Sequence, residues 1–279
     1  MQISNTITDL QAKLNEWKSQ GQSIAFVPTM GGLHDGHLAL VALAKQKADK
    51  VIVSVFVNPT QFGENEDFDQ YPNTLEQDIT LLEQHQVDGL FTPNTDQIYP
   101  QDLENDIVAG ELGGILCGVS RPEHFDGVAQ VVHRLFEIVS PDVAVFGQKD
   151  YQQLLLIMQM TTQYFPEIKV LSQPTIREED GLAMSTRNQY LSENERAIAP
   201  YLYQALLQAK QDYLNNTTVE MLTNTAKNTL SVDFKVDYFE ALDANTLKQI
   251  TDNTSKIAIL CAVFLGSTRL IDNIIFNKG

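Results

Sequence analysis

The sequence predicts an α/β fold, a mainly parallel sheet with helices between its strands, followed by a smaller C-terminal α+β domain. Apolar, β-rich runs recur at "IAFV" (24–27), "VIVSVFV" (51–57), "GLFT" (89–92), "VAVF" (143–146) and "KVLS" (169–172). Helical patterns fill the gaps, at 37–48, 74–86, 126–139 and 151–164. "VIVSVFV" shows no polar alternation, as a central parallel strand covered on both faces requires. Strands that alternate with helices form a parallel sheet through right-handed crossovers, and such sheets bind ligands at the carboxyl ends of their strands.

Taken in order, the chain opens on an amphipathic pattern in which Ile3, Ile7, Leu10, Leu14 and Trp17 trace one face of a helix. This stretch has neither the basic start nor the apolar centre of a signal peptide. The strand–helix alternation then runs to about residue 185, where the character changes. "SENE" (192–195) has capping-box spacing, a Ser followed three residues later by Glu, and predicts a helix to about 214. A second helix is expected at 218–230. Three strand-like runs follow, "KVDYFEALDA", "KIAILCAVFLG" and "RLIDNIIF", and predict a small antiparallel sheet. The expected domains are 1–184 and 185–279.

Charge narrows the function. The net charge is −17, and residues 51–148 hold 17 acids against Arg121 and Arg134 alone, which is −15 of the total. Such a field repels nucleic acid, whose binding needs many Lys or Arg contacts to phosphate. "IAILCAVFL" from Ile257 is the longest apolar stretch and is too short to span a bilayer, so no membrane partner is expected. Cys117 and Cys261 stand far apart with no paired spacing, which gives neither a disulfide nor a zinc signal. The chain reads as a cytoplasmic protein.

"TMGGLHDGH" (29–37) places His34 and His37 three apart behind Gly31 and Gly32, in a chain with five histidines. A metal, a proton transfer or a phosphate could each use that pair. Zinc needs at least three protein ligands, and no Cys-His or Glu-His cluster supplies the third locally, so no metal ligands are assigned. Phosphate fits better. The strand "IAFVP" ends in the Gly-Gly turn, the next helix begins near Gly36, and a helix N-terminus offers backbone N–H groups and a positive dipole end to an anion. The plain alternative is a pair of histidines that merely lines a turn.

Two further stretches repeat the chemistry. "FGQKD" (146–150) sets a glycine and Lys149 at the end of a strand, and Lys149 is the first basic residue after Arg134. "GLAMSTRNQYLS" (181–192) puts Ser185, Thr186 and Arg187 side by side, two hydroxyls and a permanent cation suited to phosphate oxygens. Together these loops predict a nucleoside triphosphate site. "NPTQF" (58–62) follows the central strand, and the amides of Gln61 and Gln153 could hold a hydroxylated or carboxylated small molecule. "SRPEHFDGV" (120–128) brings Arg121 and His124 ahead of a helix, as a functional pair or as a simple turn.

These stretches, in this order, resemble the pantoate–β-alanine ligase family of the nucleotidylyltransferase superfamily. "PTMGGLHDGH" resembles its HxGH signature and "VFVNPTQF" its pantoate loop. "FGQKDYQQL" is similar to its GEKD-type stretch, and "DGLAMSTRN" to its counterpart of the KMSKS loop. The similarity runs from about Ile24 to Asn273. It implies a Rossmann-like sheet in 1–184 that binds ATP and pantoate, with 185–279 as a lid. It implies adenylation of pantoate by ATP, then attack of β-alanine on the pantoyl adenylate to give pantothenate and AMP. By the same resemblance, Met30, Gly31, Gly32, Leu33, His34, Asp35, Gly36 and His37 bind ATP, and His37 is the proton donor. Gly147, Gln148, Lys149, Asp150, Ile176, Met184, Ser185, Thr186 and Arg187 complete the ATP contacts, with His34, His37 and Lys149 as the catalytic group. Gln61 and Gln153 bind pantoate, and Asn58 and Arg121 are further contacts for pantoate or β-alanine. Mg²⁺ held through the triphosphate and a homodimer are also implied.

Two positions depart from the family pattern. Gln148 stands for the Glu of GEKD and Thr186 for the second Ser of SSR, and both keep hydrogen-bonding capacity. An acyl adenylate is hydrolysed by water, so a cover is expected, either the acidic stretch "GENEDFDQYP" (63–72) or the C-terminal domain. The alternatives are another nucleotidylyltransferase, which would lack the "NPTQF" and "SRPEHF" stretches, or a silent nucleotide-binding relative, which would lose a cation or the second histidine.

Overall fold

The computed structural model describes residues 1–64, 66–101 and 107–278. Six strands form the first sheet: β1 (Gln2–Ser4), β2 (Ile24–Thr29), β3 (Lys50–Val55), β4 (Gly89–Phe91), β5 (Val143–Gly147) and β6 (Lys169–Gln173). Their order is β1-β4-β3-β2-β5-β6, and every neighbouring pair is parallel. A second, antiparallel sheet has the order β7 (Lys235–Asp243), β8 (Lys256–Leu265), β9 (Thr268–Asn277). This is the expected α/β architecture, a Rossmann-like parallel sheet with a smaller antiparallel one.

The apolar runs become strands because both faces of the sheet are covered. Ile24, Ala25, Phe26 and Val27 of β2 are wholly buried. On one face Leu40, Val41 and Ala44 of α2 (Asp35–Lys45), with Leu82 of α3 (Leu75–Gln84), pack on Val27, Val53 and Val145. On the other, Phe26 meets Phe136 of the helix His124–Val139 edge-on, with ring centres 6.5 Å apart, and Phe136 meets Phe146 of β5 at 6.3 Å. Burying each such side chain contributes about 1.5–3 kcal/mol.

Strand order locates the site. From β2 the chain steps to β3 and β4 on one side, and later to β5 and β6 on the other. The order therefore reverses between β2 and β5. At such a reversal the connections leave in opposite directions and open a crevice beyond the carboxyl ends of the strands. The Gly-Gly turn follows β2, and Gly147 and Gln148 lie at the end of β5.

Two expectations are corrected. Ile3 is not on a helix: it lies in β1, paired with Leu90 of β4, and α1 spans Ile7–Ser19. Thr6 sets that start, its hydroxyl accepting the Asp9 amide at 3.1 Å. Ile3 fits the helical period only because it stands four residues before Ile7. The single helix expected from 193 to 214 is two, Glu193–Ile198 and Tyr201–Leu214. Pro200 lies between them, and it has no N–H to continue the first helix. The capping box itself is formed, Ser192 with Glu195.

The residues fall into two compact units, Met1–Gln148 with Leu156–Pro174, and Lys149–Leu155 with the chain from Thr175 on. The second has its own core, in which Leu202, Leu206 and Leu222 pack against Phe239, Ile259 and Cys261 of the antiparallel sheet. Cys117 and Cys261 are both buried, and neither is in a disulfide.

Ser54, in β3, is wholly buried, and its hydroxyl meets no hydrogen-bond partner among the described residues. Leaving a buried polar group unbonded costs about 1–3 kcal/mol. Ser54→Ala is therefore expected to keep or raise the thermal unfolding midpoint, and a fall of several degrees would refute this account of the hydroxyl.

Candidate active site

The turn after β2 is built around a carboxylate from α3. Gly31 and Gly32 have φ of +83° and +62°, a region side-chain-bearing residues avoid. A Cβ on Gly31 would also lie 3.0 Å from both Asp78 Oδ2 and Val55 Cγ1. In this conformation the Gly32 and Leu33 amides donate to Asp78 Oδ2 and Oδ1 at 3.1 and 2.8 Å, and Thr74 Oγ1 donates to Oδ2 at 3.3 Å. Gly31 N–H donates to Thr29 Oγ1 at 3.2 Å. Asp78 is 1% exposed. Three successive amides that could have met an anion are thus directed to protein acceptors.

The histidines close the turn. His34 is the N-cap of α2, and its Nδ1 accepts the Gly36 amide at 3.1 Å. His37 Nδ1 accepts the His34 amide at 3.3 Å, so the two form a reciprocal box with ring centres 4.2 Å apart. A ring nitrogen that accepts carries no proton. The neutral proton of each ring is therefore on Nε2, assigned from the hydrogen-bond network. Two N–H donors at a helix start suit an anion, and protonating either ring at Nδ1 would break the helix cap.

A second turn follows β3. Asn58 Nδ2 donates to Gln61 Oε1 at 3.2 Å and to the Gly127 carbonyl at 3.1 Å. Its Oδ1 accepts from Tyr99 Oη at 2.8 Å and from Thr60 Oγ1 at 3.0 Å. Asn58 is 1% exposed, so it acts as a support that aims Gln61. Gln61 Nε2 lies 3.1 Å from Met30 Sδ, which joins this turn to the histidine turn. Burial pushes the Tyr99 hydroxyl above the usual phenol range, against the pull of its bonds to Thr60 and Asn58. Gly127 permits the contact, because a Cβ there would lie 2.4 Å from the Thr60 carbonyl oxygen. Arg121 and His124 join the same turn: His124 Nδ1 is 2.8 Å from the Gln61 carbonyl, and Arg121 Nη1 is 2.9 Å from His124 Nε2. At the end of β5, Gln148 Nε2 reaches Ser172 Oγ at 3.4 Å.

The second unit holds Lys149, Asp150, Gln153, Ile176, Met184, Ser185, Thr186 and Arg187. Lys149 and Asp150 lie in a 3₁₀ turn, and Gln153 is in the first turn of the helix Tyr151–Tyr164. Asn273 of β9 donates to the Lys149 carbonyl at 2.9 Å. The Met184 amide donates to Ile176 at 3.0 Å, and Ser185 Oγ accepts the Arg187 amide at 3.3 Å to start the turn Thr186–Tyr190. Arg177 anchors this loop to β9 with a fork on Asp272, at 2.6 and 2.9 Å, and a third bond to the Gly181 carbonyl at 3.1 Å. Burial pushes the Asp272 carboxyl up while the Arg177 fork opposes it.

Asp78, Tyr99, Asp272 and Asn273 did not emerge from the sequence as site residues. Each acts on a partner at least 41 positions away, and a lone Asp on a helix reads as solvated surface. The one available signal was Asp78 on the otherwise apolar Leu75–Ile79–Leu82 face of its helix.

A parallel sheet whose strand order reverses at a Gly-Gly turn, with paired histidine donors at the following helix start, defines a Rossmann-like protein of the nucleotidylyltransferase class. Comparison makes this specific: the chain belongs to the pantoate–β-alanine ligase family, whose model matches residues 2–275. It is similar to the pantothenate synthetase of Ruthia magnifica subsp. Calyptogena magnifica, 58% identical over 279 residues, which are 100% of each chain. It is 46% identical over 281 residues to that of Shewanella sp. (strain MR-7), again covering 100% of each. The crystal structure of pantothenate synthetase from Thermus thermophilus matches with a TM-score of 0.92 and 41% identity, over 98% of this chain and 99% of that one. That of pantoate-beta-alanine ligase from Francisella tularensis, complexed with beta-gamma ATP and beta-alanine, matches with a TM-score of 0.82 and 39% identity, over 100% and 98%.

Asp78→Asn keeps the shape of the side chain but turns one acceptor oxygen into an NH₂ that faces a backbone N–H. The variant is expected to lose about 1–3 kcal/mol of unfolding free energy in a denaturant titration. Unchanged stability would mean that the Gly32 and Leu33 amides do not depend on this carboxylate.

Proposed function

We propose that the protein condenses pantoate with β-alanine, using ATP, to give pantothenate, AMP and pyrophosphate. A carboxylate is a poor electrophile and must first be activated. An oxygen of the pantoate carboxylate attacks the α-phosphorus of ATP, the bond to the β-phosphate breaks, and pyrophosphate leaves. The amine of β-alanine then attacks the acyl carbon of the pantoyl adenylate, gives up a proton, and displaces AMP. The observation that carries this reading is the intact His34–His37 box in a chain that matches the family from residue 2 to 275.

Attack at phosphorus gathers negative charge, and donors fixed in advance stabilise it better than water, which must reorient. We assign that task to His34 and His37 through Nε2–H, together with Lys149. A histidine whose Nδ1 accepts a helix amide has only its Nε2 proton to give, and releasing it would leave an imidazolate. His37 is therefore assigned here as a hydrogen-bond donor to the charge, in place of the proton-donor role the resemblance implies. Met30, Gly31, Gly32, Leu33, Asp35 and Gly36 shape the nucleotide's surroundings. The remaining contacts with ATP are assigned by resemblance to Gly147, Gln148, Asp150, Ile176, Met184, Ser185, Thr186 and Arg187. Gln61 and Gln153 hold pantoate, Asn58 supports Gln61, and Arg121 serves β-alanine.

Mg²⁺ belongs to the proposal as an ion that arrives on the triphosphate and offsets its charge. Among the described residues no group of three or more His, Cys, Asp or Glu is gathered to cage a metal. The proposal places the enzyme in the cytoplasm as a homodimer. No helix among the described residues is long and apolar enough to cross a membrane.

The test is exchange of labelled pyrophosphate into ATP, with and without pantoate, followed by product analysis when β-alanine is added. Exchange should require pantoate, and pantothenate should appear only with both substrates. His37→Ala should slow exchange by about 2–4 kcal/mol of transition-state stabilisation, a drop of roughly 30- to 1,000-fold. Exchange in the absence of pantoate would overturn the reaction, and a His37→Ala rate near the parent's would overturn the assignment of that residue.

A further inference from the structure

Arg121 has its whole guanidinium engaged. Nε and Nη2 meet Glu66 Oε1 and Oε2 at 2.5 and 2.6 Å, fork on fork, and Nη1 lies 2.9 Å from His124 Nε2. Arginine only donates, so His124 Nε2 accepts and its ring proton is on Nδ1, which donates to the Gln61 carbonyl at 2.8 Å. An unbroken chain of hydrogen bonds thus links Glu66 of the acidic stretch 63–72 to the Gln61 backbone. Asn65 of that stretch lies outside the described residues. The rest of it is folded locally: Phe62 meets Phe68 and Tyr71 edge-on, with ring centres 5.3 and 6.0 Å away.

Residues 51–148 contain two basic side chains. Arg134 pairs with Glu137 on its own helix at 3.1 Å, so Arg121 is the cation of that segment that reaches the Gln61 turn. The Arg121 and Glu66 side chains remain 17% and 25% exposed, so the pair is open to a competitor. The proposed reaction, on which this inference rests, uses two carboxylates with different fates. That of pantoate is consumed by adenylation. That of β-alanine passes unreacted into the product, and a lasting cation partner suits it.

Glu66 and a substrate carboxylate cannot occupy one edge of the guanidinium together. We propose that Glu66 is an exchangeable latch that fills the Arg121 fork until the carboxylate of β-alanine takes its place. Exchange keeps the charge and the two hydrogen bonds of the fork, so neither occupant has a large energetic lead. The tethered one wins until the second substrate is present. The acidic stretch then stays pinned beside Gln61 while the water-sensitive adenylate waits, and it is released by the reactant that consumes that adenylate.

A latch that is closed most of the time lowers the apparent affinity of its competitor by the fraction of open molecules. Glu66→Gln, which keeps the size and removes the charge, should lower the apparent KM for β-alanine about 3- to 10-fold relative to that for pantoate. A β-alanine KM that rises, stays constant, or moves in step with the pantoate KM overturns the proposal. A second measurement needs no turnover. Amides of the stretch are bonded within it, Glu66 to Gly63, Gln70 to Asp67 and Tyr71 to Phe68. Adding β-alanine alone should speed their hydrogen exchange in the parent protein and leave that of Glu66→Gln unaltered, whereas an equal response in both overturns the latch. Pantoate-dependent pyrophosphate exchange, run on the same parent sample, reports separately on the reaction itself.

Discussion

Backbone amides turned into the interior by two left-handed glycines must find acceptors, and at the histidine turn the acceptor for two of them is the buried carboxylate of Asp78. Among the described residues its bonds come from two peptide N–H groups and the Thr74 hydroxyl, and none from a cation. Such donors stabilise a buried charge as long as their geometry is kept. That requirement fixes the turn, the turn fixes where α2 begins, and the helix start sets the orientation of both imidazoles. Because the amides are already engaged, the donors left for the proposed anion contact at this end of the sheet are those of the histidine side chains.

The elements most legible in the sequence were those whose signal is local. β2 and β3 are unbroken apolar runs, and the helices between them keep their period. The small antiparallel sheet likewise showed as three β-rich runs. What stayed hidden had no local signature. β1 is three residues long and exists by pairing with β4, while Ile3 happens to continue the period of α1. The break at Pro200 was written in the sequence and was overridden by a strong capping signal upstream. At the site, the residue types and their loops were readable, but their bonding was not. Asp78 reaches back 46 positions to Gly32, and Arg121 reaches 55 to Glu66, distances at which no pattern along the chain operates.

At least five of the six guanidinium groups in this acidic chain meet a carboxylate, and what differs is the setting. Arg121, Arg134, Arg177, Arg196 and Arg269 all hold one within hydrogen-bond distance. Arg177 with Asp272 is a fixture: the carboxylate is buried in β9, the fork is bidentate, and the cation also stacks 3.6 Å from the centre of the Tyr203 ring. Removing one partner from such a pair leaves a buried charge alone, at roughly 3–5 kcal/mol. Arg196 with Asp180 is a surface contact of the kind worth about 0–1 kcal/mol. Arg121 with Glu66 falls between them, ordered enough to form the full fork and open enough to be contested.

The hydrogen-bond pattern assigns opposite tautomers to histidines within one unit, Nε2–H in His34 and His37 and Nδ1–H in His124. Ring nitrogens with and without a proton resonate far apart in nitrogen-15 spectra, so the protein carries its own reporters. The first two rings signal whether the helix cap is intact. The third signals whether the Arg121 guanidinium still faces the imidazole. With only five histidines in the chain, one spectrum could follow the histidine turn and the arginine fork separately as ligands are added.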